Sequence, residues 1–199
     1  MIPESQGGPA LILASTSRYR GELLARLAVP FVAVAPDCDE DAYKSRGFSP
    51  RDLAETLALA KAESLRAAYP EAAILGGDQL AEIDGEILGK PGSEAAARAQ
   101  LARLAGRTHT LITAVALVGR GQVLRHTDVT RLTMRALSAE QIARYVAADR
   151  PLDCAGSYKL ELLGIALFSR IESADHTAIV GLPLLAITAM LGEIGIVIP

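Results

Sequence analysis

Residues 73–88, Ala73-Ile74-Leu75-Gly76-Gly77-Asp78-Gln79-Leu80-Ala81-Glu82-Ile83-Asp84-Gly85-Glu86-Ile87-Leu88, decide the fold class. The apolar residues 73–75 read as a short strand that ends on Gly76-Gly77-Asp78-Gln79. Residues 80–83 and 86–88 then flank Asp84-Gly85, a dipeptide that tolerates positive φ and so marks a hairpin. Upstream, residues 10–14 form another apolar run that enters Ser15-Thr16-Ser17. That pattern predicts a strand feeding a helix, with Leu23, Leu24 and Leu27 at helical spacing. Residues 31–35 read as a second strand, stopped by Pro36 and the acidic Asp37-Cys38-Asp39-Glu40-Asp41. Pro50 opens a long helix to about Ala68, closed by Tyr69-Pro70.

Downstream, Ser93 caps a helix to about Leu104, and residues 108–118 and 123–135 read as two long strands around Gly119-Arg120-Gly121. Ser138 and Gln141 form a capping box for a helix through Val146. Residues 164–171 alternate as a strand, with Ile165, Leu167 and Ile171 on one face, and a buried helix begins near Pro183. Strands and helices interleave throughout, and several strands are long and antiparallel. The expected fold class is α/β with a mixed sheet flanked by helices, and no linker or repeat divides residues 1–199 into more than one domain.

Composition sets the outer limits. The chain has 199 residues, half of them apolar and 22 % charged, which suffices for a sizeable core and argues against disorder. A formal net charge of −3 offers no general polyanion surface, so a nucleic acid polymer is not an expected partner. Two cysteines, Cys38 and Cys154, are too few for a disulfide scaffold, and a reducing compartment follows. Residues 1–9 contain no Lys or Arg and hence no basic leader region. The uncharged stretch 177–192 is shorter than the ~20 residues that span a bilayer, and Gly181-Leu182-Pro183 interrupts it. A cytoplasmic protein without a membrane partner is expected.

Several residues can carry chemistry. In Ser15-Thr16-Ser17-Arg18-Tyr19-Arg20, hydroxyls, guanidinium groups and the amides of a helix start form either a phosphate cradle or an N-cap followed by solvated arginines. Lys61 shares a four-residue repeat with Leu53, Leu57 and Leu65, so it lies on the inward stripe. There it either snorkels or meets an anion, because an unpaired buried charge is costly. Asp78 follows a strand and two glycines, where carboxylates often face ligands, although turn-forming aspartates are commoner. Lys90, in Gly89-Lys90-Pro91, reaches a phosphate or is solvated. The acidic run 37–41 binds a divalent metal or decorates a loop. His109, His126 and His176 lack metal-ligand spacing and read as structural or exposed, and Cys154 reads as a small buried packing residue. Neither a Gly-rich phosphate loop nor a Gly-x-Ser-x-Gly elbow is present.

Together these segments resemble the Maf family of nucleotide pyrophosphatases over roughly residues 10–192. The matching motifs are Leu11-Ile12-Leu13-Ala14-Ser15-Thr16-Ser17, Pro36-Asp37-Cys38-Asp39-Glu40, Lys61-Ala62, Gly77-Asp78-Gln79 and Gly89-Lys90-Pro91. Pro151-Leu152-Asp153-Cys154-Ala155-Gly156-Ser157-Tyr158-Lys159 and Val180-Gly181-Leu182-Pro183-Leu184 complete the series. The resemblance implies an elongated α/β fold, Maf/ITPase-like, with a nucleotide cleft between two lobes. It also implies hydrolysis of a nucleoside triphosphate to the monophosphate and pyrophosphate with a divalent metal cation (Mg, Mn or Co), and a homodimer at the family level. Carried over by position, Asp78 is the proton acceptor that activates water. Arg20, Lys61 and Lys90 are phosphate-binding cations, Ser15 sits at the phosphate cradle, and Glu40 with Asp78 lies nearest the metal.

Within the family the chain resembles the branch acting on 7-methyl-GTP, through Tyr19, Gln79 and Glu161, where the branch acting on dTTP and UTP tends to have Arg, Thr and Gln. Methylation at N7 makes guanine cationic, which suits an aromatic face at Tyr19 and a carboxylate at Glu161. Two positions depart from the family pattern: Arg18 replaces a proline, and Leu162 replaces a glycine in the expected base-contacting loop. Two alternatives stay open, a dTTP/UTP pyrophosphatase of the same family and a nucleotide-binding regulator of cell division with vestigial catalysis.

Overall fold

The computed structural model describes residues 10–198; residues 1–9, whose composition bears on a leader, lie outside them. The elements run β1 (Leu11–Ala14), α1 (Arg18–Ala25), β2 (Val32–Val34), α2 (Glu40–Lys44), α3 (Pro50–Glu63), β3 (Ala73–Ile83) and β4 (Glu86–Leu88). They continue with α4 (Glu94–Leu104), β5 (Thr108–Gly119), β6 (Gln122–Met134), α5 (Ala139–Asp149), β7 (Phe168–Glu172), α6 (His176–Val180) and α7 (Leu184–Glu193). The strands form one seven-stranded sheet in the order β2-β1-β3-β5-β6-β7, with β4 paired to β3. β1 runs parallel to both β2 and β3, whereas β4 and β7 are antiparallel to β3 and β6. The mixed α/β sheet expected from the interleaved pattern is therefore present.

The chain divides into two compact units. The first comprises the described residues up to Asp78 with Thr113–Asp128 and those from Asp175 onward; the second comprises Gln79–Ile112 and Val129–Ala174. In the first unit the period-two alternation of strand side chains sorts the core into two layers. Leu11, Leu13, Leu75, Val115 and Leu117 pack with Leu23 and Leu24 of α1 and with Leu184, Ile187 and Leu191 of α7. Ile12, Ala14, Ile74 and Val118 pack instead with Ala62 and Leu65 at the end of α3. The chain thus leaves β1 over one face and enters β3 from the other. Such a reversal leaves open ground beyond the carboxyl ends of the two strands, where ligands of open α/β sheets bind.

β3 and α3 differ from the sequence pattern, for local reasons. The strand predicted to end at Gly76-Gly77 continues as β3 through Ile83. Gly76 is there for close approach, not termination. A Cβ on Gly76 would run into the Ala58 carbonyl oxygen and lie 2.7 Å from the Ala62 amide nitrogen, so α3 rests directly on the strand backbone. The helix expected to reach Ala68 ends at Glu63 and passes into tighter turns, with Leu65, Arg66 and Ala68 donating to Ala62, Glu63 and Leu65.

In the second unit α4 packs on α5, and the Ser138–Gln141 capping box forms with both of its bonds. Asp84 and Gly85 both take positive φ, 56° and 79°, as a two-residue hairpin of this hand requires. The strand expected over 164–171 is confined to β7, because Leu163–Leu167 coils as a 3-10 turn. Gly164 explains the change: its amide donates to the Lys159 carbonyl at 3.1 Å, and a Cβ there would collide with the same oxygen. Leu162, where the resemblance leads to the expectation of a glycine, has φ −118°, so the loop needs no glycine at that position.

His109 is structural, as its spacing suggests. It is 2 % exposed, shares a 3.0 Å hydrogen bond between Nε2 and the Tyr158 hydroxyl, and lies against Phe168. Burial lowers its pKa from 6.5 to about 4. The unfolded chain therefore binds a proton that the folded chain refuses, and stability is lost as pH falls through this window, by about 3 kcal/mol in all. Urea midpoints measured from pH 7 to pH 5 should decline in the wild type and decline distinctly less in His109→Gln. An equal decline in both would remove His109 as the cause.

Candidate active site

Four of the predicted site residues meet in the first unit, beyond the carboxyl ends of β1 and of the segment of β3 that pairs with it. Asp78 shares the α3-facing side of β3 with Ile74 and Gly76, since alternate residues face the same way. Lys61, in the last turn of α3, reaches it: Nζ lies 2.6 Å from Asp78 Oδ1. The same ammonium lies 2.8 Å from Glu40 Oε1. Lys61 and Asp78 are 5 % and 6 % exposed, so the inward lysine does meet an anion, and it meets two. Among the described residues Asp78 Oδ2 is buried with no hydrogen-bond partner.

Glu40 arrives by local caps. Asp39 accepts the Ala42 amide and starts α2, which places Glu40 in the first helical turn. The Ser64 hydroxyl accepts the Asp37 amide at 3.1 Å and donates to the Lys61 carbonyl at 2.8 Å, tying the acidic segment to the end of α3. The rest of the acidic run turns outward, with Asp41 paired to Lys44. Among the described residues no three His, Cys, Asp or Glu side chains gather as a ligand group.

Arg20 comes from the opposite side of the sheet. Ser17 caps α1 by accepting the Arg20 amide, and Ser15, buried at the end of β1, accepts the Ser17 amide at 3.1 Å. The Arg20 Nε donates to the Gly181 carbonyl at 3.2 Å. A Cβ built on Gly77 would make only ordinary contact with that Nε, at 3.6 Å, so the arginine, unlike α3 at Gly76, does not depend on a glycine for its room. Gly181 is itself held by a buried cap: Asp175 accepts the Thr177 and Leu185 amides, and the Thr177 hydroxyl accepts the Leu184 amide. The Thr177 hydroxyl also donates to Asp175, and the three bonds that Asp175 accepts keep its carboxyl below the ordinary range despite burial. Arg18 pairs with Glu22 on the surface, so only one of the two predicted guanidinium groups joins the cluster.

The electrostatics follow from this crowding. Burial pushes the Asp78 carboxyl above the usual carboxylate range, against the opposing pull of Lys61 and Arg20. Burial also lowers the Arg20 pKa, which Asp78 and Glu40 resist. Cys38 is half-buried within the field of Lys61, Glu40 and Asp78, and burial pushes its thiol up. A cluster of two carboxylates and two cations, one carboxylate oxygen unpartnered, can bind an anionic ligand and hold a water molecule for attack.

The same residues lie within a recognised family pattern: a model described as Maf-like protein matches residues 10–194. The chain belongs to the Maf family. It is 48 % identical over 191 residues to the 7-methyl-GTP pyrophosphatase of Xanthomonas axonopodis pv. citri (strain 306), covering 96 % of this chain and 100 % of that protein. The 7-methyl-GTP pyrophosphatase of Bdellovibrio bacteriovorus is 49 % identical over 190 residues, covering 96 % and 97 % of the two chains. That of Bordetella pertussis is 47 % identical over 188 residues, covering 94 % of each.

Tyr19 is half-buried on the first turn of α1, and Gln79 is half-buried next to Asp78 on β3. Lys90 and Glu161 belong to the second unit, and both are exposed. The loop of Glu161 is closed beneath it, because the Lys159 carbonyl accepts both the Leu162 and Gly164 amides and the Lys159 amide donates to the Tyr145 hydroxyl. Cys154 is half-buried rather than buried, and burial pushes its thiol up to about 12. His126 and His176 are exposed.

Sequence reasoning left two contributors without a role. Gly181 belongs to the quoted Val180-Gly181-Leu182-Pro183 motif, but nothing in that motif says its carbonyl holds Arg20. Ser64 carries no sequence signal at all.

The donor set suits a divalent cation. Mg²⁺ is commonly held by one or two carboxylates together with substrate phosphates, and Asp78 Oδ1 and Glu40 Oε1 are brought together within 2.8 Å of the Lys61 ammonium.

Proposed function

We propose that the protein hydrolyses 7-methyl-GTP to 7-methyl-GMP and pyrophosphate, removing a modified nucleotide from the cytoplasmic pool. The observation that carries this reading is the buried Asp78 carboxylate, held by Lys61 at one oxygen and unpartnered at the other. The activity of relatives nearly half-identical over almost the whole chain, named as 7-methyl-GTP pyrophosphatases, supports the substrate and the hydrolase class.

In the proposed mechanism Asp78 Oδ2 accepts a proton from water as the water oxygen forms a bond to the α-phosphorus. The α–β bridging bond breaks, pyrophosphate departs with its electron pair, and the proton leaves Asp78 for solvent. Arg20, Lys61 and Lys90 balance the charge that develops on the phosphate oxygens, where fixed cations act most strongly. Ser15 and the start of α1 cradle the phosphates. Glu40 and Asp78 would hold a divalent metal (Mg, Mn or Co), whose chemistry when bound is to neutralise phosphate charge. Tyr19, Gln79 and Glu161 select the base: the carboxylate and aromatic face suit a cationic purine.

A steady-state panel of 7-methyl-GTP, GTP, dTTP, UTP and CTP with Mg²⁺, Mn²⁺ or Co²⁺ tests the reading. The highest kcat/KM is expected for 7-methyl-GTP, with pyrophosphate released. A preference for dTTP or UTP would reject the substrate, and binding without turnover would reject the enzyme in favour of a regulator.

A further inference from the structure

The Lys61 ammonium occupies the place between the two carboxylates. It lies 2.6 Å from Asp78 Oδ1 and 2.8 Å from Glu40 Oε1, inside the first unit and almost fully buried. Arg20 adds a second cation within the field of both carboxylates, its Nε committed to Gly181. Lys44 Nζ lies a further 3.8 Å from Glu40 Oε2, so the two carboxylates already face cations on every side that the ion pairs reach, and the cluster holds no excess negative charge to attract a bare dication. Among the described residues Asp78 Oδ2 is buried without a hydrogen bond.

We infer that Lys61 bars Asp78 and Glu40 from a free divalent cation, so that the cation is bound only together with the triphosphate. The inference rests on the pyrophosphatase reading and adds to it the order in which the ligands are accepted. A triphosphate brings several negative charges, which draw the lysine from the carboxylates onto phosphate oxygens. Its flexible four-carbon stem permits that movement without any shift of α3. The carboxylates are then released at the moment a cation arrives with the nucleotide. An enzyme built this way does not hold metal while its site is empty of nucleotide.

Titration of Mn²⁺, followed by the loss of its free-ion electron paramagnetic resonance signal, tests this without any turnover. Four samples are compared: wild type alone, wild type with a non-hydrolysable α,β-methylene analogue of 7-methyl-GTP, Lys61→Met alone and Lys61→Gln alone. Circular dichroism establishes that each variant is folded, and the glutamine variant, which keeps a polar side chain at this buried position, serves if the methionine variant is not.

Wild type alone is expected to bind Mn²⁺ at least ten-fold more weakly than the folded lysine variant, and the analogue is expected to restore tight binding to the wild type beyond its own chelation. If wild type alone binds Mn²⁺ as tightly as the variant, the barring role is overturned while the pyrophosphatase reading stands. If wild type binds no Mn²⁺ even with the analogue, the metal-assisted reading itself falls, and this inference with it.

Discussion

Asp78→Asn is expected to lower kcat for 7-methyl-GTP by about 10³-fold, within the 10²–10⁴ that a positioned general base contributes. The amide is nearly the same size as the carboxylate, so the packing of β3 against α3 survives. Lys61 keeps Glu40 as an ionic partner at 2.8 Å, which limits the disturbance to the lysine. What is lost is the oxygen that takes the proton, since an amide has no basic lone pair to offer water. KM should change by only a few-fold, because Arg20 and Lys61 still meet the phosphates. Rapid-quench turnover beside a circular dichroism spectrum separates this from misfolding. Turnover within ten-fold of wild type would remove Asp78 as the base.

Gly76→Ala is expected to destabilise the protein by about 3 kcal/mol or more, at the upper end of what overpacking costs. Both atoms in the way are backbone, the Ala58 carbonyl oxygen and the Ala62 nitrogen at 2.7 Å, so no rotamer change relieves the collision. Either α3 lifts from the sheet or its last turns distort. Both outcomes also move Lys61, which leaves the same helix for Asp78, so activity should fall together with stability. Gly77→Ala is the internal control. Its new methyl group would make ordinary contacts of 3.5–3.6 Å with Ala114, Leu182 and Arg20, and a change within about 1 kcal/mol is expected. Urea unfolding of the two variants side by side checks the contrast, and equal losses would show that chain stiffness rather than contact decides the effect.

These two adjacent glycines also show where sequence reading succeeds and where it stops. Glycine before a strand-end carboxylate signals close approach of something, and that reading was available from residues 76–78 alone. It was also open to the opposite reading, a strand that stops, because glycine weakens strands as readily as it admits neighbours. Only the position of α3 distinguishes the two. The same holds for residues 164–171, whose alternation fits a strand until Gly164 is seen to close on Lys159.

By itself the amino-acid sequence determined the α/β class, the hairpin at Asp84-Gly85, the capped helices and the inward stripe that carries Lys61. These are short-range properties: the period of apolar residues, the φ tolerance of glycine and the reach of a capping hydroxyl act within a few residues. It also carried the ordered motifs that mark the Maf family. The tertiary structure alone decided that Lys61 meets both Asp78 and Glu40, that Ser64 ties the acidic segment to α3, and that Gly181 holds Arg20. Those partners lie from 17 to 161 residues apart, or belong to segments with no periodic signal, and a charge has no preferred partner until folding removes the water around it.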